Sequence, residues 1–173
     1  DRRDYDFKHA LDTAKLFEFL ESTQKDELQK FKDYYKESYK ERYIDLLCKK
    51  IESRGLKTAL NEHVEDYASN TKFSLVYFKT GLSVMSDSLA LYEKNIFSVC
   101  REFAYEDKED SFRVDLALFI NGIPMVMIEL KKQTAGQKAA FEGTKQFKTT
   151  RNPDELVFSF NKRTLVYFAI DEF

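Results

Sequence analysis

The sequence predicts a mixed α/β domain of the α+β kind, a helical first third followed by a mixed sheet. Three observations carry this. Residues 1–54 hold 13 basic and 13 acidic residues with no Gly or Pro, and their apolar positions recur at helical spacing. After Asn70 the apolar pattern alternates with period two. A single late helical stretch then interrupts the strands, giving the order helix, strands, helix, strands.

Leu11, Leu16, Phe17, Phe19 and Leu20 predict a short amphipathic helix. Leu28, Phe31, Tyr35, Tyr39, Tyr43, Leu46, Leu47 and Ile51 predict a long one over 26–54, with Gly55 as its stop. A third is expected over 56–67. Strands are expected over 73–78, 96–105, 112–120, 123–131, 156–160 and 165–170. Thr134-Ala135-Gly136-Gln137 reads as a capping box opening a helix over 135–149. The expected organisation is a helical N-terminal extension, 1–55, packed on a core, 56–173.

Composition bounds the function. The 173 residues, 43% hydrophobic with 16 Phe and 10 Tyr, can bury a real core, which excludes overall disorder. No apolar run approaches the roughly 18–20 residues that span a bilayer, so no membrane partner is expected. The polar start Asp1-Arg2-Arg3-Asp4 is not a signal peptide and not a Met start, which reads as a piece of a longer chain. Cys48 and Cys100 then read as reduced thiols, and the protein as cytoplasmic. A net charge of −2 excludes a globally basic nucleic-acid binder. His9 and His63 are too few for a histidine metal site, so any metal must lean on carboxylates.

Three ionisable residues sit in otherwise apolar strands: Asp115, Glu129 and Lys131. Buried charges are costly unless paired or used. Glu129 and Lys131, two apart, share a strand face. A two-residue Asn121-Gly122 turn would pair Ile120 with Ile123 and set Asp115 opposite Ile128, mixing polar and apolar partners. Core segregation favours a three-residue loop, Asn121-Gly122-Ile123, which sets Val114, Leu116 and Leu118 opposite Leu130, Ile128 and Val126, an all-aliphatic core face. On the other face Asp115 would oppose Glu129, Arg113 would oppose Lys131, Ala117 Met127 and Phe119 Met125. Two facing carboxylates suit a hard cation such as Mg2+, with the Leu130 carbonyl as a further oxygen ligand. A lysine beside them suits phosphodiester hydrolysis. The alternative is a salt bridge on a solvated sheet face. From Lys131 to Arg151 stand six basic residues (Lys131, Lys132, Lys138, Lys145, Lys148 and Arg151) against Glu142 alone, a local net of +5 suited to a phosphate backbone.

Asp115 with Glu129-Leu-Lys131 on a hairpin followed by a helix resembles the PD-(D/E)xK nuclease motif. The finer resemblance is to the N-terminal region of the R (restriction) subunit of type I restriction-modification enzymes. Residues 91–95, Asn121-Gly122, Pro124, Gln133, Gly136-Gln137, Gln146-Phe147, Arg151, Pro153, Leu165-Val166, Phe168-Ala169 and Asp171 carry it across most of the chain, while Cys100 and Tyr167 depart from it. It implies a restriction-endonuclease-like core in which Asp115 and Glu129 bind Mg2+ and Lys131 is catalytic. It makes Gln146 a site residue and places Phe147 where a Tyr is common. Gln133, Gln137, Lys132, Lys138, Lys145 and Arg113 are the expected DNA contacts. An upstream acid would come from Glu62, Glu65 or Glu93. Duplex DNA, methyltransferase and specificity subunits, and a C-terminal ATP-driven motor are the implied partners; no phosphate-loop motif occurs here, so ATP would act only in the full-length subunit. A stand-alone repair nuclease and a non-catalytic DNA- or subunit-binding scaffold are the competing readings.

Overall fold

The computed structural model describes residues 4–79, 86–108, 112–131, 145 and 155–171, and shows a mixed α/β chain. A small hairpin, β1 (Tyr5–Asp6) with β2 (Leu11–Asp12), leads into α1 (Thr13–Thr23). The Asp12 carboxylate caps α1 by accepting the Lys15 N–H at 3.1 Å. Leu16, Phe17, Phe19 and Leu20 are buried.

The single helix expected over 26–54 is two, α2 (Lys25–Tyr35) and α3 (Tyr39–Arg54), joined by a 3-10 turn over Lys36–Ser38. Packing explains the break. Phe31 and Tyr43 would lie about 18 Å apart on one straight helix, yet their rings meet at 6.2 Å, and both contact Phe73. Lys36, with φ +52°, turns the chain back.

The helix expected over 56–67 also stops early. α4 covers Leu56–Asn61, and His63–Asp66 is a strand, β3, antiparallel to β4 (Thr71–Ser74). Val64, Asp66, Thr71 and Phe73 alternate inward, a period-two pattern that short length hid from the sequence. The strand expected over 73–78 ends at Ser74 because side chains take the backbone beyond it. Asn121 Nδ2 donates to the Leu75 carbonyl, and Asn95 both accepts from Tyr77 N and donates to Tyr77 O.

After an unexpected helix, α5 (Ser86–Glu93), come the four strands of the main sheet: β5 (Phe97–Ala104), β6 (Arg113–Ile120), β7 (Ile123–Leu130) and β8 (Val166–Ile170). Their order is β5-β6-β7-β8; the first three form an antiparallel meander, and β8 runs parallel to β7. The stretch expected as a strand over 156–160 is instead a 3-10 turn, Leu156–Phe158. Side-chain hydroxyls hold its carbonyls: Thr164 donates to Val157 O and Tyr167 to Phe158 O. The expected helix over 135–149 lies outside the described residues except for Lys145, which is helical and exposed.

The β6–β7 turn has two residues, not three. Asn121 (φ +51°) and Gly122 (φ +80°) connect Ile120 and Ile123, which pair directly, and Phe119 pairs with Pro124 instead of Met125. The register then shifts past Met125, so that Leu118 meets Val126, Ala117 meets Met127 and Leu116 meets Ile128. A bulge thus satisfies both demands: a two-residue Asn-Gly turn at the tip and segregated faces along the strands. The tip docks on the start of α1, where Asp12 N–H donates to Gly122 O at 2.8 Å.

Two apolar clusters result. One joins α1–α4, β3 and β4 with Ile123 of the sheet. The second gathers Tyr5, Ala10, Phe103, Tyr105, Val114, Ala117, Phe119, Met127 and Val157. Of the all-aliphatic face expected to be core, Val114 is fully buried, while Leu116, Leu118, Val126 and Ile128 are intermediate and Leu130 is 49% exposed. The better-buried face is the other one, where Ala117, Phe119 and Met127 lie beside the ionisable residues. The aromatic N-terminal segment and the 155–158 turn pack on that face and on Val114, and leave the rest of the aliphatic row half-exposed.

Candidate active site

The β6–β7 ladder reaches its last rung at Leu116–Ile128 as the strands leave the turn. One residue farther out stand Asp115 and Glu129, on the face of Ala117 and Met127. Asp115 reaches its neighbour through the side chain, its Oδ2 accepting the Leu130 N–H at 2.6 Å. That bond fixes the carboxylate against β7 without using another side chain. Asp115 is half-buried.

Glu129 and Lys131 project from the same face, and Lys131 Nζ donates to Glu129 Oε1 at 3.1 Å. They are only 5% and 6% exposed, so this is a desolvated ion pair rather than a solvated surface bridge. The Lys131 backbone N–H donates to Ile170 O at 2.8 Å, tying the pair to β8. The structure therefore brings Asp115, Glu129 and Lys131 to one end of one sheet face. Leu130 turns its side chain to the opposite face and lends its backbone here.

Arg113 pairs with Ala104 on β5 and lines a cavity of about 320 Å³ with Tyr5, Phe7 and Glu102. Gln133, Gln137, Gln146, Lys132 and Lys138 fall outside the described residues. Two of the three candidate upstream acids are engaged elsewhere: Glu62 with Lys50 and Arg54, and Glu65 with Lys72. The third, Glu93, ends α5 just before Asn95, whose side chain bonds Asn121 at the turn, the far end of the sheet from Asp115.

Two acids went unnoticed in the sequence as site residues. Glu102, with a left-handed φ of +49°, lies on β5 between the rungs Arg101–Leu116 and Phe103–Val114, hence opposite Asp115. Asp171 directly follows β8, whose Ile170 carbonyl accepts the Lys131 N–H. Only strand register reveals either one. Among the described residues, no group of three or more His, Cys, Asp or Glu is arranged to hold a metal. What the site offers is a pair of carboxylates and backbone oxygens, hard donors of the kind that bind Mg2+ through one or two carboxylates, with water or phosphate completing the shell. No helix among the described residues is long and apolar enough to cross a membrane.

A family model described as the type I restriction enzyme R protein N terminus matches residues 5–172. The chain is also similar to a protein of Methanocaldococcus jannaschii named "Putative type I restriction enzyme MjaVIIIP endonuclease subunit". The two are 31% identical over 75 residues, a stretch covering 43% of this chain and 7% of that relative. The match thus spans a small fraction of the relative's length. No solved structure matches the chain.

Proposed function

The chain belongs to the type I restriction enzyme R protein N-terminus family, and on that premise we propose that it is the Mg2+-dependent endonuclease module of such a subunit, hydrolysing phosphodiester bonds of duplex DNA. The observation that carries this is the placement of a half-buried Asp115 and a desolvated Glu129–Lys131 pair, 3.1 Å apart, at one end of one sheet face. A stability role alone gives a poor account of it, because a buried ion pair often stabilises no more than apolar residues of the same volume.

Each residue has a part. Asp115 and Glu129, with the Leu130 carbonyl, would hold the cation. A bound Mg2+ polarises a phosphodiester and lowers the pKa of a water. Asp115 is held against β7 by the Leu130 N–H, which keeps its carboxylate in place before DNA arrives. Lys131 supplies an ammonium beside Glu129. Held by Glu129 in a water-poor setting, it stabilises the negative charge that grows on the phosphate oxygens, where an ammonium acts more strongly than in water. The surrounding PD-(D/E)xK-like core, the basic 131–151 stretch following Lys131 and the site's DNA contacts belong to the same proposal. So do the methyltransferase and specificity subunits, the ATP-driven motor of the full-length subunit as partners, and a cytoplasmic location.

The test is cleavage by the assembled enzyme carrying Lys131→Ala in its R subunit. Loss of cleavage with retained ATP hydrolysis is expected. Cleavage at the wild-type rate would overturn the assignment. Calorimetric titration of this chain with Mg2+ or Mn2+ addresses the metal: weaker binding by Asp115→Asn is expected, and no binding by either protein favours a scaffold role.

A further inference from the structure

The β7–β8 register carries one residue farther than the motif does. Val126 pairs with Val166, Met127 with Tyr167, Ile128 with Phe168, Glu129 with Ala169 and Leu130 with Ile170. The next pair in the series is Lys131 with Asp171, and the Lys131 N–H bond to Ile170 O shows that the strands are still joined there. Side alternates along β8. Val166, Phe168 and Ile170 are 39%, 48% and 44% exposed on one side. Tyr167, Ala169 and Asp171 are half-buried on the other. Tyr167 fixes which side this is, since it packs against the cluster holding Met127 and Ala117 and donates to Phe158 O. Asp171 therefore stands on the face of Glu129 and Lys131, in the row of Lys131.

We propose that Asp171 is a positioning residue for Lys131, a second carboxylate that, with Glu129, fixes the ammonium at the site. This rests on the nuclease reading above. The physical case is the setting of Lys131. Its ammonium is buried, and a buried cation needs compensating negative charge. Glu129, the partner on its own strand, is also assigned to the metal. An acid on the adjacent strand leaves Lys131 held when Glu129 turns to the cation. Among the described residues, Arg113 and Asp115 on β6 and Glu102 on β5 are further charged groups near this face. Nothing in the ExK pattern encodes this, because Asp171 is forty residues downstream and only the parallel pairing brings it to the lysine.

The experiment uses the full-length R subunit assembled with its partner subunits, on a plasmid substrate with Mg2+ and ATP. Asp171→Asn, Asp171→Glu and Lys131→Ala are compared with wild type. Asp171→Asn is expected to lower the cleavage rate roughly 10- to 100-fold, the range found when groups that orient active-site residues are lost. KM for DNA and ATP hydrolysis should stay unchanged, and Asp171→Glu should recover most of the rate. Full cleavage by Asp171→Asn, with Lys131→Ala inactive, overturns the role of Asp171 alone. Equal losses in the Asn and Glu variants, with a lowered melting temperature, assign Asp171 to structure and also overturn it. Retained cleavage by Lys131→Ala overturns the nuclease reading, and the positioning role with it.

Discussion

Asp115 completes the sheet with its side chain: its Oδ2 accepts the Leu130 N–H at 2.6 Å, just beyond the Leu116–Ile128 rung. One contact thereby ends a strand pairing and sets a carboxylate beside Glu129. The Asp115→Ala variant is expected to lose about 0.5–1.5 kcal/mol of stability, the net worth of one solvent-accessible hydrogen bond. Asp115→Asn keeps an acceptor oxygen and should lose less. Urea unfolding of this chain checks the order, and cleavage by the assembled enzyme should fail in both.

The Glu129–Lys131 pair is desolvated, so its halves are not independent. Glu129→Gln removes a carboxylate partner of a buried ammonium and should cost up to about 3–5 kcal/mol. Lys131→Met removes the cation facing a buried carboxylate, at a similar cost. The double variant Glu129→Leu/Lys131→Met should be more stable than the sum of the two single losses implies, because neither half of this pair is left behind. Additive losses in a double-mutant cycle would contradict the pairing.

Gly122 has φ +80°, and a Cβ there would lie 2.1 Å from Asp12 O and 2.9 Å from Leu16 N. Both neighbours are backbone and cannot swing aside. Gly122→Ala is expected to destabilise by about 2 kcal/mol or more through strain and displacement of α1 from the hairpin tip. Asn121→Ala removes the bonds to Leu75 O, Asn95 and Ile96 N–H and should also destabilise. Thermal melts measure both.

Acid stability should depend on Asp66. Burial pushes its carboxyl up, but the Ser69 hydroxyl and N–H and the Tyr35 hydroxyl outweigh that and hold it below the usual range. A group lowered on folding contributes stability above its unfolded pKa, about 3.9 for Asp. That contribution is lost as pH falls through the lower folded value. Urea midpoints of wild type and Asp66→Asn should therefore differ at neutral pH and converge in acid. A gap that is constant down to about pH 2 would contradict this.

Local chemistry made much of this protein readable. Helical spacing marked the buried faces of α1 and α3, and period-two alternation marked β5, β6, β7 and β8 closely. The same residues, Asp115, Glu129 and Lys131, announced themselves as charges in apolar strands. Reading failed where tertiary contacts overrode a pattern. Tyr43 packing back on Phe31 split one predicted helix. The pairing of His63–Asp66 with Thr71–Ser74 turned the end of another into a strand. Hydroxyl bonds to Val157 and Phe158 converted an expected strand into a turn.

The sequence by itself determined the fold class, the β6–β7 pairing of Leu116, Ala117 and Leu118 with Ile128, Met127 and Val126, and the two-apart spacing that puts Glu129 and Lys131 on one face. These follow from side-chain period and hydrophobic segregation, which are local properties. Tertiary structure alone decided that the face with the charges is the buried one. It also resolved the rival turn lengths with a bulge at Met125, set Glu102 opposite Asp115 and joined Lys131 to the end of β8 at Ile170. Those outcomes depend on which elements cover a face and on pairings between residues far apart in the chain, and no local pattern contains that information.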